Sequence, residues 1–197
     1  GAGHAPAIYT ILSKLKTTVM GDIGCYTLGT LPTLAAMDTT LCRGASITMA
    51  HGFEKARGKD EVRNTVAVLG DSTFFHSGIT GLVNMHYNQS TGTVIILDNR
   101  ITGMTGHQQN PASGKNAKGE PAPELDIATV VRACGVKHVV EVDPFDLPEV
   151  ERIVKEETAR EEVSVIITKS PCVLLDKSKK PVYFVHSDKC TKCGMCM

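Results

Sequence analysis

Thr65–Asp71 (TVAVLGD) and Thr93–Asn99 (TVIILDN) decide how this chain folds. Each is a short β-branched run, and each ends on residues that carry a side-chain oxygen. Apolar runs without alternation suit strands buried on both faces, as in a parallel sheet. Asp71 and Asn99 lie 28 residues apart, about the length of a strand–helix–strand unit. Their two turns can therefore be neighbours at the carboxyl edge of a parallel pair, where ligands bind. Oxygen ligands of this kind suit a hard cation such as Mg²⁺, which normally also holds phosphate oxygens. The bland alternative is that Asp71 is an ordinary turn residue.

Outward from this pair, helices and strands alternate. Ile8, Ile11, Leu12 and Leu15 have helical spacing, and predict a helix over Ala5–Thr18. Val19 and Met20 lead as a short strand into the turn Asp22-Ile23-Gly24-Cys25. Residues 27–46 are rich in Gly, Thr and small residues and read as a long irregular loop, of the kind that often carries function. A helix over Ile47–Ala56 opens at Gly44-Ala45-Ser46, a plausible seat for phosphate. A further helix is expected over His76–Asn88, with Ile79, Leu82, Val83 and Tyr87 on one face. Arg100–Glu120 reads as a loop and a candidate mobile lid. A helix over Leu125–Cys134, a strand over Lys137–Val142, a helix capped by Asp146 and Glu149 and a strand over Val163–Thr168 complete the pattern. The expected fold class is α/β: an open, mostly parallel sheet with helices on both faces. Composition changes near residue 177, which divides the chain into residues 1–176 and a linker with a cysteine run, residues 177–197.

The 197 residues suffice for one domain with a substantial core. Hydrophobic residues make up 42% and charged residues 21%, a globular profile. With a formal net charge of +0, nothing points to nucleic acid or a membrane surface. No apolar run approaches the roughly 20 residues of a membrane span. Seven cysteines are present, and Cys190, Cys193 and Cys196 crowd the carboxyl end. Such spacing belongs to metal or cluster ligation rather than disulfides, so a reducing, cytoplasmic setting is expected.

GDS at 70–72 and LDN at 97–99, followed by ITGMTGHQ, resemble the thiamine-diphosphate signature, with Ser72 and Asp98 as variants of it. Together with GDIGCYTLGTLP and DTTLCRGASI, these stretches resemble the 2-oxoacid:ferredoxin oxidoreductase family, in its branch that acts on indolepyruvate-like aryl 2-oxoacids. The resemblance covers roughly residues 19–175 and implies a site position by position. Asp71, Asn99 and the Ile101 carbonyl would hold Mg²⁺. Gly70, Ser72 and Thr73 would approach the diphosphate, with Thr102 and Gly103 in the loop beyond. Asp22, Ile23, Gly24 and Cys25 would lie near the thiazolium, and Gly44 and Ala45 beside the diphosphate. His76 would stand near the reacting centre as a catalytic candidate, or merely cap a helix; His107 could reach substrate.

Cys190-x-x-Cys193-x-x-Cys196 is the first part of a ferredoxin-type run, and implies a [4Fe–4S] cluster whose site is incomplete here. Zinc is the competing reading. Cys25 and Cys172 match positions that bind a proximal cluster in related enzymes, but the Cys-x-x-Cys pair such a cluster needs is not found near the start. The implied activity is oxidative decarboxylation of an aryl 2-oxoacid, with coenzyme A taking the acyl group, ferredoxin the electrons, and a small (beta) subunit as partner. The family's glutamate acts from a separate pyrimidine-binding domain. No sequence for one is found, so a larger protein and a dimer or higher assembly are expected. Two rivals stand beside this reading: a non-oxidative decarboxylase or carboligase, which needs no terminal cysteines, and a non-catalytic metal-binding or electron-carrier module, which needs no diphosphate site.

Overall fold

The computed structural model of the chain describes residues 4–32, 34–176, 178 and 184–193. Among these residues six strands form one sheet: β1 (Thr18–Gly21), β2 (Thr39–Thr40), β3 (Thr65–Gly70), β4 (Gly92–Asp98), β5 (His138–Val142) and β6 (Val163–Lys169). Their order is β2-β1-β3-β4-β6-β5, and every pairing is parallel. The helices are α1 (Ala5–Lys14), α2 (Ala45–Arg57), α3 (Asp71–Thr73), α4 (Ile79–Tyr87), α5 (Ile127–Ala133) and α6 (Leu147–Thr158). Among the described residues no helix is long and apolar enough to cross a membrane.

Strand alternation sorts the apolar residues into two cores. Ala67, Leu69, Val94, Ile96, Val165 and Ile167 face α2, α4 and α5, where they meet Ile47, Leu82 and Val131. Val66, Val68, Ile95, Leu97 and Ile166 face the opposite side, against Ile8 and Leu12 of α1 and Val150 and Ile153 of α6. Both faces of β3 and β4 are thus dry, which is why their sequences read as continuous apolar runs. The expected sheet with helices on both faces is the one observed.

Several local features differ from the sequence expectations. The helix expected over Ala5–Thr18 ends at Lys14, and Thr18 instead opens β1. Residues 27–46 are not wholly irregular: Cys25–Thr30 form a 3₁₀ helix, and Thr39–Thr40 add an edge strand beside β1. The helix expected from His76 begins five residues earlier, at Asp71, and passes through a π turn over Phe74–Gly78 before α4. The helix expected over Leu125–Cys134 starts at Ile127, because the Asp126 side chain accepts Thr129 N at 2.7 Å and caps it there. Asp146 caps α6 as expected, accepting Glu149 N at 3.2 Å.

Candidate functional site

The chain path changes direction between β1 and β3. From β1 it continues to β2 on one side, and from β3 to β4 on the other. A switch of this kind opens a crevice at the carboxyl ends of the two strands. The β3–β4 register pairs Gly70 with Leu97, so Asp71 and Asp98-Asn99 leave the sheet side by side.

One cleft results. It is lined by Ile23, Gly24, Cys25 and Tyr26 after β1, by Gly70, Asp71, Ser72 and Thr73 after β3, and by Asn99, Ile101, Thr102, Gly103 and Met104 after β4. Arg43, before α2, completes it. The cleft encloses only about 30 Å³, roughly the room of one or two waters. It can grip the end of a ligand rather than swallow one. Side chains are excluded by design: a Cβ on Gly24 would strike the Tyr26 ring.

Asp71 is 2% exposed. Its Oδ1 accepts Ser72 N at 2.8 Å and its Oδ2 accepts Asn110 Nδ2 at 3.0 Å. Two of roughly four acceptor sites on the carboxylate are used. Burial is the largest influence on this carboxyl and pushes its pKa up to about 6, against the two hydrogen bonds that favour the ion. Asp98, alongside, is also raised by burial, and Arg100 counters it. Arg100 Nε stands 3.2 Å from Asp98 Oδ2 without a hydrogen-bonding alignment. Asn99 Oδ1 accepts Ile101 N at 3.1 Å, which fixes the loop into Ile101.

Asp22, Gly44 and Ala45 are not among the cleft lining. Asp22 is fully buried and braces the cleft from beneath: Oδ1 accepts Ile23 N at 2.7 Å, while Oδ2 accepts Gly44 N at 2.7 Å and Ser46 Oγ at 3.2 Å. Ala45 N is bonded to Cys42 O. The two amides that the sequence offers to phosphate at the start of α2 are therefore already spent within the protein. His76 is exposed on the π turn and His107 on the loop after β4; neither lines the cleft.

Cys25 lines the cleft, whereas Cys172 is 2% exposed and borders a separate cavity of about 580 Å³ with Phe145 and Leu175. Among the described residues no three His, Cys, Asp or Glu side chains gather as metal ligands. Cys190 and Cys193 are exposed, and Cys196 lies outside the described residues. The backbone at Cys190 turns back on the thiol: Lys192 has φ of 57° and its N–H donates to Cys190 Sγ at 3.4 Å.

Sequence reasoning missed Tyr26, Arg43, Met104 and Asn110. Tyr26 and Arg43 stood inside stretches singled out for other residues. Asn110 had no signal, because its role depends on a loop folding back 39 residues onto Asp71.

The residues present fit a cation-bound diphosphate. Asp71 is a buried carboxylate with acceptor sites left over, and Ser72 Oγ is buried at the cleft with no hydrogen-bond partner. A cation and phosphate oxygens would satisfy both.

The chain is 39% identical over 193 residues to indolepyruvate oxidoreductase subunit IorA of Pyrococcus horikoshii, covering 89% of this chain and 30% of that protein. It is 34% identical over 206 residues to the subunit of that name from Archaeoglobus fulgidus, covering 100% of this chain and 32% of the relative. The chain thus spans about a third of the length of these curated relatives. Among solved structures, the 2-oxoglutarate:ferredoxin oxidoreductase of Magnetococcus marinus, with 2-oxoglutarate, coenzyme A and succinyl-CoA bound, superposes with a TM-score of 0.70 at 20% identity. It covers 86% of this chain and 61% of that one, and shows the shared fold. The family model described as "Thiamine pyrophosphate enzyme, C-terminal TPP binding domain" matches residues 22–168. On that match the chain belongs to the thiamine pyrophosphate enzymes, as a C-terminal TPP-binding domain.

Proposed function

We propose that this chain is the diphosphate-binding part of an oxidoreductase that decarboxylates aryl 2-oxoacids of the indolepyruvate type. Its relatives' name motivates the substrate class. Coenzyme A would accept the acyl group and ferredoxin the electrons, with a second, small subunit as partner and the pyrimidine half of the cofactor held by another domain. The observation that carries the reading is the meeting of Asp71, Asn99 and the unpartnered Ser72 hydroxyl in one cleft at the switch between β1 and β3.

When bound, thiamine diphosphate supplies a nucleophilic carbon and an electron sink for decarboxylation. The chain's own residues have the other tasks. Asp71, Asn99 and the Ile101 carbonyl would hold Mg²⁺ and so neutralise the diphosphate. Ser72 Oγ would donate to a phosphate oxygen, and Gly70 and Gly24 keep the backbone open for its approach. Arg43, whose Nη2 has the Met104 thioether at 3.8 Å, adds a positive charge at the rim. The dry floor under Asp71 strengthens each of these charge interactions. Cys190, Cys193 and Cys196 would hold an iron–sulfur cluster together with a ligand from outside the run; the Lys192 amide on Cys190 Sγ is the kind of donor that supports a cluster thiolate. Cys25 and Cys172 remain proposed cluster ligands, and His76 a proposed catalytic group that would need the exposed π turn to face a second domain.

Calorimetric titration of thiamine diphosphate tests the reading. Binding should require Mg²⁺ in the wild-type chain, and Asp71→Ala should weaken it by about tenfold or more, the cost of one charge-assisted contact. Equal affinity in the two proteins overturns the site.

A further inference from the structure

The Asp71 carboxylate is held from across the cleft floor by the loop between β4 and α5. Asn110, 6% exposed, points its Nδ2 at Asp71 Oδ2, 3.0 Å away. Its other end is occupied too, since Oδ1 accepts Ala112 N at 2.9 Å. The two contacts together fix which end of the amide is which. The turn that carries Asn110 is braced separately. Ser113 Oγ donates to Asn110 O at 2.7 Å, and Arg100 Nη1 donates to Ala112 O at 3.0 Å. Arg100 is itself anchored by the buried Asp98 and by Glu124. Closing this turn needs only the Oδ1 end of Asn110. The Nδ2 end is spent on one buried oxygen, belonging to the residue proposed to hold the cation.

We infer that Asn110 is the positioning residue of the cation site, a role that rests on the function proposed above. Its amide sets the plane of the Asp71 carboxylate and leaves the remaining acceptor sites for a ligand in the cleft. Without it only the Ser72 amide on Oδ1 would restrain the carboxylate, whose last torsion is broad, and a cation would have to complete its ordering on binding. The same bond makes the Arg100–Glu124 loop part of the site, because Arg100, paired with Asp98, holds the turn that carries Asn110.

Mn²⁺ binding, read from the electron paramagnetic resonance signal of the free ion, tests this on the full chain with thiamine diphosphate present. Two variants are needed. Asn110→Ala removes both ends of the amide. Asn110→Ser keeps a short acceptor for the turn but cannot reach Asp71, and it decides the matter if the alanine variant fails to fold. Each should weaken Mn²⁺ binding by about 10- to 100-fold, the usual effect of removing a group that orients a metal ligand. Raising Mn²⁺ should restore wild-type cofactor binding in both. Wild-type Mn²⁺ affinity in Asn110→Ser, with affinity lost in Asp71→Ala, overturns the inference and leaves the site standing. Wild-type affinity in Asp71→Ala overturns the site itself.

Discussion

Removing the Asp22 carboxylate should loosen both walls of the cleft at once. This side chain lies wholly out of solvent and ties the β1 turn to the start of α2 through Ile23 N, Gly44 N and Ser46 Oγ. Two of these bonds join segments more than 20 residues apart. Hydrogen bonds to a charged acceptor contribute about 1.5–3 kcal/mol each. Recovery of the carboxylate's burial cost offsets part of the loss, since burial is what raises this group above the ordinary aspartate range. A net loss of about 3 kcal/mol follows for Asp22→Ala. In a protein of this size that is a fall of roughly 6–12 °C in Tm. Asp22→Asn, which keeps the shape and one acceptor, should lose about half as much. The pH dependence separates the two contributions. The folded carboxyl binds its proton more readily than the unfolded one, so its share of stability is full below the unfolded pKa. That share is lost as pH rises through the folded value. Asp22→Asn should lack this slope. Urea unfolding of the three proteins across that window is the assay. A loss below about 1 kcal/mol in Asp22→Ala, or an identical pH slope in Asp22→Asn, refutes the brace.

Gly44→Ala should destabilise by about 2 kcal/mol or more, because Gly44 has φ of 87° and an added Cβ would strike Ser77; a thermal melt checks it. Ile95→Ala, at a site with 0% exposure in the central strand, should lose about 2–5 kcal/mol in urea unfolding. Replacing Cys190 and Cys193 together by Ser should lower the iron that copurifies with the full-length protein, as measured by iron analysis and visible absorption. Unchanged iron content would remove those two thiols from the cluster proposal.

The sheet was legible because β3, β4 and β6 are buried on both faces and their apolar runs have no competing period. β2 was not, since two threonines carry no pattern and pair only because the chain after the 3₁₀ helix returns beside Met20 and Gly21. The early start at Asp71 was hidden by Gly-Asp-Ser, a good turn as well as a good helix entry. The π turn shifts the helical phase in a stretch too short to show it. Of the site, the side chains at strand ends could be read, for a strand end points where the register sends it. Asn110 and Arg43 could not, because loops bring them there through contacts that no local spacing encodes. The same limit explains Asp22: its place beside the cleft was legible, but not that its carboxylate faces inward.

The position of β6 governs the order in which this molecule can be made. Among the described residues it is the last strand in sequence, yet it sits between β4 and β5 and is the sole strand partner of β5. A growing chain therefore produces residues 138–142 with nothing to pair against, while β4 waits with a bare apolar edge. Such edges invite pairing with other chains. Assembly of a third of the sheet, β5 and β6, is a single late event that depends on seven residues, Val163–Lys169. A chain stopped before Val163 should be sticky on the ribosome and insoluble off it, and one carried just past Lys169 should bury both lines of unpaired backbone together.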